Sequence, residues 1–169
     1  RTDAHGGNVR VVSALPAAMP TPSNVLLRAM AFAPVGDGRA WVATTRGLAV
    51  LDPRTGAVEA VPLAGYPGIM LRSVARAADG TVWLGTQAQG LLHYDPRTQR
   101  AQAIAPRDPM HVHAITLDPR GRAWVGTSDG LQVVDPVTRR MYTWRHAADD
   151  PNSIAGNLVR AVLRTSDGT

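Results

Sequence analysis

Two histidines separated by one residue, His111 and His113, have the spacing that most directly indicates chemistry. Alternate side chains of a β-strand share a face, so these two imidazoles could bind one metal ion. A metal would need further ligands, but the chain has no cysteine and no obvious third ligand stands close in the sequence. We therefore predict neither a metal site nor a cofactor.

The sequence shows no arrangement typical of a catalytic centre. Serine, histidine and aspartate all occur, but no Gly-x-Ser-x-Gly turn or other spacing joins them as a nucleophile and its base. The oxygens of Asp149, Asp150 and Asn152 could bind calcium, yet they lack the alternating spacing of a calcium loop, which favours a solvated turn. We expect no catalytic residues and no enzymatic activity in this segment.

Four basic residues each follow an apolar residue at the start of similar segments: Arg28, Arg72, His113 and Arg160. If these segments line a common channel, the basic groups would attract a small anionic or polar ligand, with carbohydrate among the candidates. The alternative is that each basic group pairs with a carboxylate of a neighbouring segment or with backbone carbonyls. Short loops near the same place add further predicted ligand-binding residues: Arg46, Gln87, Gln89 and Asp129.

The elements that would position these residues are strands of a repeat about 40 residues long. Tryptophan recurs at Trp41, Trp83 and Trp124, and an Asp-Pro pair recurs at Asp52, Asp95 and Asp135. A period of this length, made of short strands and turns, is typical of four-stranded β-propeller blades.

Each repeat predicts four antiparallel strands, A to D, whose marked residues are structural. The tryptophan of strand B is followed two residues later by alanine or glycine on the same face, so a neighbouring sheet can pack closely. We therefore expect all three tryptophan rings to be buried between blades. Strand C begins at Gly47, Gly90 or Gly130. It ends at the aspartate of the Asp-Pro pair, whose carboxylate can bond the backbone of the turn. The first copy is predicted to hold an extra residue in the turn between strands A and B.

This register divides the chain into 1–25, the end of one blade and a connection, then three blades at 26–66, 67–109 and 110–157, and 158–169, the first strand of another. The predicted fold is all-β, with about four four-stranded antiparallel blades that form part of a larger ring, for which we expect seven blades. The two ends do not complement each other. We therefore expect the chain alone to expose strand edges and to be oligomeric or poorly soluble.

The charge of +5 comes from arginine, with no lysine in the chain. One interpretation is an anion-binding surface for nucleic acid. The arginines are scattered and the aromatic residues are too few for a stacking platform, so we expect no nucleic-acid partner. We attribute the use of arginine in place of lysine to a GC-rich coding sequence. No run approaches the roughly 18 apolar residues of a membrane span, so this segment should make no direct membrane contact.

The segment from Ser73 to Gln99, SVARAADGTVWLGTQAQGLLHYDPRTQ, is the best copy of the composite repeat. Its core, Trp-x-Gly-Thr-x-x-x-Gly-Leu-x-x-Tyr-Asp-Pro, resembles the two-component regulator propeller repeat. The resemblance extends over almost the whole chain. The first copy departs from it with Ala43 in place of the glycine, and the third with Val134 in place of the tyrosine.

The resemblance implies a periplasmic ligand-sensing region whose parent protein is anchored in the inner membrane. The parent protein can be a homodimer, and its output domain would be a hybrid histidine kinase or a diguanylate cyclase.

Two alternatives stay open. A propeller-fold enzyme, similar to virginiamycin B lyase, would need a metal or a convergent His/Glu set at the channel, and Glu59 falls on the outer strand D. The other alternative is a protein-interaction platform.

Overall fold

Three four-stranded antiparallel sheets form the chain in the computed structural model, which describes residues 28–104 and 110–165. Blade 1 contains β1 (Ala29–Pro34), β2 (Ala40–Thr44), β3 (Gly47–Leu51) and β4 (Val58–Val61). Blade 2 contains β5 (Leu71–Arg76), β6 (Val82–Thr86), β7 (Leu91–Asp95) and β8 (Arg100–Ala103). Blade 3 contains β9 (Val112–Leu117), β10 (Ala123–Thr127), β11 (Gly130–Val134) and β12 (Met141–Trp144). The predicted all-β fold of four-stranded blades is confirmed.

Each blade is a simple meander, so its turns fall at two opposite ends. The A–B and C–D turns lie at one end, and the B–C loops lie at the other with the connections that lead from one blade to the next. We call this second end the loop face. No helix within the described ranges is long and apolar enough to cross a membrane.

The middle strands are apolar on both faces because each blade is covered by its neighbours. The core between blades 1 and 2 contains Trp41, Leu48, Leu84 and Tyr94. The Trp41 ring meets the Tyr94 ring edge-on, with 6.2 Å between their centres. An aromatic pair in this geometry adds about 0.5–1.5 kcal/mol to the stability that burial of its area already gives.

The core between blades 2 and 3 is built around Trp83, which is only 1% exposed. Gly85, two residues further along β6, allows the blades to approach closely. A Cβ at this position would overlap Ser73 Oγ and Val112 Cγ1 and would stand 2.9 Å from Val112 Cβ. The predicted pairing of a large ring with a small residue therefore describes how these two sheets pack.

Blade 3 is packed in the same way by residues 159–162. A Cβ at Gly126 would stand 2.7 Å from the carbonyl oxygen of Val159 and 3.1 Å from Val162 Cγ2. The Val159 amide donates to the carbonyl of Thr127 at 2.9 Å. Residues 159–162 thus take the place on blade 3 that β9 takes on blade 2, although they join no sheet within the described part of the chain. Their assignment to the first strand of another blade stays a prediction, and residues 1–25 and 166–169 lie outside the described residues.

Trp124 departs from the expectation that all three tryptophans are buried between blades. It is half-buried because no described sheet covers the face that it shares with Gly126, on which only the segment after blade 3 packs. Its ring instead lies parallel to that of Trp144, with centres 6.2 Å apart and planes 3° apart. Trp144 and Tyr142, both on the outer strand β12, are 45% and 52% exposed.

The Asp-Pro turns are closed by the aspartate side chain. Oδ1 accepts a backbone N–H two residues later in each of them: Asp52 from Arg54, Asp95 from Arg97 and Asp135 from Val137. The turn ends in a residue with positive φ, and this residue is Gly56 in blade 1 but Gln99 and Arg139 in the other two. The strand C glycines also have positive φ: Gly47, Gly90 and Gly130.

Candidate functional site

We call the four basic residues predicted to be equivalent the basic column: Arg28, Arg72, His113 and Arg160. Backbone pairing between strands A and B changes its membership. Leu71 pairs with Thr86 and Val112 with Thr127, and the next residue of each strand, Arg72 or His113, sits at a β-bulge. In blade 1 Ala29 pairs with the equivalent threonine, so the bulge residue is Met30. A bulge turns a side chain away from the regular alternation of the strand, which sets these positions apart.

Arg28 therefore does not belong to this column, and the prediction that placed it there is wrong. Its counterparts are Met70 and His111, because the carbonyls of these three residues accept the same hydrogen bond from the B–C loop of their own blade. The expected extra residue in the first A–B turn is also absent. That turn spans residues 35–39, as long as 77–81 and 118–122 in the other blades.

Arg72 is held by a neutral partner from the B–C loop of its own blade. Its Nε donates to the side-chain oxygen of Gln87. The Gln87 amide nitrogen in turn lies 3.4 Å from His111 Nδ1, at the entry to blade 3. The rings of His111 and His113 are nearly perpendicular, with centres 6.2 Å apart. Two predicted ligand-binding residues, Arg72 and Gln87, are thus in contact with each other.

His113 lies among positive groups from three parts of the chain. Burial lowers the pKa of His113, and the charges of Arg72, Arg160 and His111 lower it further. Its Nε2 is buried and has no hydrogen-bond partner among the described residues. We call Arg72, Gln87, His111, His113 and Arg160 the basic cluster.

Among the described residues, no bonded carboxylate balances the charge of the basic cluster. Within the described ranges, four arginines at the turn end pair with aspartates of their own turns: Arg39–Asp37, Arg54–Asp52, Arg97–Asp95 and Arg122–Asp118. Arg120 and Arg139 at the same end form no ion pair within these ranges. On the loop face Arg145 binds Asp129, with Nη2–Oδ2 at 2.6 Å. None of the ion pairs in this part of the chain includes Arg72 or Arg160. The two permanent charges of the cluster therefore create a positive region on the loop face.

Asp129, predicted to bind a ligand, is engaged by Arg145 through both carboxylate oxygens. This hydrogen bonding lowers the pKa of Asp129. Gln89 is exposed in the same loop as Gln87, and Arg46 lines a separate cavity of about 370 Å³ in blade 1 together with Leu63. The structure therefore gathers Arg72, Gln87, His113 and Arg160 but gives Asp129, Gln89 and Arg46 other surroundings.

A buried threonine closes each B–C loop, a role that the sequence analysis missed. The hydroxyl donates to the carbonyl of the glycine that opens strand C: Thr44 to Gly47, Thr86 to Gly90 and Thr127 to Gly130. The same oxygen accepts the amide of a loop residue: Arg46, Gln89 or Asp129. The threonine that ends strand B in every copy was the available signal.

The long connection after β12 is internally bonded. His146 N donates to Asn157 Oδ1 at 2.7 Å, and Ser153 bonds both the amide and the carbonyl of Ala147. Asp150 Oδ1 accepts the amide of Asn152, as in the turn that was favoured over a calcium loop. No group of three or more His, Asp or Glu side chains in the described segments is arranged to hold a metal ion. Residues 105–109, part of the connection before β9, lie outside the description.

The family model of the two component regulator propeller matches residues 107–129. The chain carries a two-component regulator propeller repeat. The matched stretch belongs to the third copy of the regulator propeller repeat, whereas the second was expected to be the best. No curated protein matches the chain significantly.

Solved structures confirm that these blades are part of a β-propeller. The extracellular domain of the hybrid two component system BT4673 from B. thetaiotaomicron is similar over 83% of this chain, with a TM-score of 0.72 and 22% identity. The extracellular domain of the hybrid two component system BT3049 from the same organism is similar over 99% of this chain, with a TM-score of 0.71 and 18% identity. The regulator propeller chain spans 19% and 21% of those two chains.

Proposed function

We propose that this regulator propeller segment is a ligand-binding part of a bacterial membrane-bound signalling protein and takes a small anionic ligand at the basic cluster. The observation that carries the proposal is the approach of Arg72, His113 and Arg160 without a bonded carboxylate in the described part of the chain. Here the partner of Arg72 is a neutral amide.

The geometry of Arg72 suits an oxyanion. A guanidinium has five N–H donors, and Gln87 takes the one on Nε, which orients the group. Hydrogen bonds between a guanidinium and an anion are about twice as strong as neutral ones. A ligand bound here would touch the inner strands of neighbouring blades, and its capture would shift how these blades pack.

We further propose a periplasmic or extracellular location. The similar solved domains are described as extracellular domains of hybrid two component systems, and this chain has their fold. In this proposal the shift in blade packing is relayed to an output domain elsewhere in a homodimeric parent, such as a histidine kinase or a diguanylate cyclase.

The test is calorimetric titration of the full chain with sodium sulfate at constant ionic strength. Arg72→Gln should weaken sulfate binding by about ten- to a hundredfold, because one charge-assisted hydrogen bond contributes about 1.5–3 kcal/mol. The melting temperature should stay within about 2 °C of the wild type, since a half-buried arginine without an ion pair contributes little to stability.

The matched control is Arg97→Gln, which removes an exposed arginine at the opposite end of the same blade. This variant should bind sulfate as the wild type does. Equal affinities of the two variants, or a large loss of melting temperature in Arg72→Gln without weaker binding, would show that Arg72 is structural.

A further inference from the structure

We propose that the basic cluster binds a doubly charged oxyanion, such as a sulfate or phosphate group, together with one proton, and that His113 accepts this proton. The inference rests on the proposed anion site and adds its ligand class and its dependence on pH. Binding should therefore be stronger in acidic than in neutral solution.

The first support is the position of His113 itself. It occupies the bulge of β9, the place that Arg72 holds in β5, so a residue with a permanent charge is replaced by one that can be neutral. Its Nε2 is buried without a partner in the described part of the protein. A buried polar nitrogen left unbonded destabilises the protein. An anion oxygen at this nitrogen would remove that destabilisation, provided that Nε2 carries a proton.

The second support is the sign of the charges around this imidazole. The groups that face it are Arg72 from β5, His111 from the connection before β9, and Arg160 from the segment packed on blade 3. All are basic, and in the protein without a bound anion they disfavour the imidazolium, in addition to burial. A bound dianion offsets the two arginine charges and stands next to the ring, so the protonated form becomes favoured.

His111 differs from His113 in its hydrogen bonding. Its Nδ1 faces the amide nitrogen of Gln87, which can only donate a hydrogen bond, so this contact requires Nδ1 as the acceptor. His113 has no such competing donor on its buried Nε2 among the described residues.

The sign of the pH effect follows from linkage. The pKa of His113 lies below its ordinary value in the free protein and rises when the dianion binds, so the complex holds more protons at any pH between the two values. Within that interval affinity rises as pH falls, by at most about tenfold per unit for one coupled proton. A single carboxylate would neutralise only one of the two arginines and should give weaker coupling.

Sulfate is the appropriate probe because its own charge does not change between about pH 5 and 8. Calorimetric titrations of the full chain at pH 5.5, 6.5 and 7.5, each in two buffers with different ionisation enthalpies, give both affinity and proton uptake. We expect the wild type to gain about three- to tenfold in affinity from pH 7.5 to 5.5 and to take up between half and one proton. Sodium formate, a singly charged oxyanion, should bind more weakly and with less uptake.

The decisive variant is His113→Gln, with His111→Gln as its matched control. His113→Gln should still bind sulfate at pH 7.5 within about threefold of the wild type, but without proton uptake or a gain at pH 5.5. His111→Gln should keep most of the uptake. If His113→Gln melts at a much lower temperature than the wild type, His113→Asn is a second variant for the same measurement.

The outcomes separate the two proposals. Sulfate binding that depends on Arg72 but shows no proton uptake would overturn this inference and leave the anion site in place. Uptake that persists in both His113 variants would also overturn it. An absence of sulfate binding at every pH would overturn the anion site and the inference together.

Discussion

Replacing Gly85 with alanine tests whether close approach of the sheets sets the spacing of blades 2 and 3. The new Cβ would overlap Ser73 Oγ and Val112 Cγ1. Val112 is fully buried and β-branched, so it cannot rotate away freely. Overpacking of a tight core costs about 1–3 kcal/mol, and two simultaneous overlaps place Gly85→Ala near the upper end. For a chain of this size that corresponds to a melting temperature lower by about 6–12 °C.

Thermal unfolding followed by circular dichroism measures the effect, with Gly156→Ala as the control. Gly156 has no atom within 4 Å of an added Cβ and no positive φ, so its substitution should be neutral or slightly stabilising. Ser73→Ala combined with Gly85→Ala reproduces the alanine pair of blade 1, Ala31 and Ala43, and should recover part of the loss. A Gly85→Ala variant that melts within about 1 °C of the wild type would refute the argument.

Three further results are expected. Gln99→Gly should raise the free energy of unfolding in urea by about 0.5–1 kcal/mol, because Gln99 adopts the positive φ that Gly56 adopts in blade 1; an unchanged or lower midpoint would contradict this. Burial lowers the pKa of His93, so the wild type should lose stability as pH falls below about 6.5, where the unfolded chain binds the proton first. His93→Val, which places the residue of Val50 at this site, should make that decline shallower between pH 7 and 5, and an equal slope would count against it. Trp83→Ala should cost about 3–5 kcal/mol by the same urea measurement, and a loss under 1 kcal/mol would show that its ring does not fill the core between blades.

The order and type of the strands can be predicted from the sequence because the tryptophan and the Asp-Pro pair recur with one period. Each blade then repeats one hydrogen-bonding scheme, and the strand ends follow from the turn residues. The partial exposure of Trp124 could not be predicted in this way, because it depends on which sheet covers the ring rather than on the repeat. The repeat shows which residues are equivalent, but it does not show whether a neighbouring sheet covers them.

The composition of the site is less predictable, for two physical reasons. Sequence similarity aligns Leu27-Arg28 with Leu71-Arg72. The register of β1 is instead fixed by its hydrogen bonds to β2, which place Met30 at the bulge. The contact of Gln87 with His111 joins two blades, and its distance depends on sheet packing. Repeat comparison shows which residues are equivalent within blades and says nothing about which ones meet between them.

The threonines that close the B–C loops make the loop tips interchangeable. Thr86 bonds the glycine at the start of strand C across a loop one residue longer than those closed by Thr44 and Thr127, so the closure tolerates a change of length. The backbone of each loop is anchored by this hydroxyl below the surface and by the amide of the first loop residue, which donates to the connection before strand A. Of the tip side chains, those of Thr45 and Ser128 also accept an amide of that connection. The side chains at the tips can therefore change one blade at a time, by exchange of two or three residues, without repacking any sheet. A designer could graft the tip of Gln87 to Gln89 onto the loop after Thr127 and expect the blade beneath it to keep its shape.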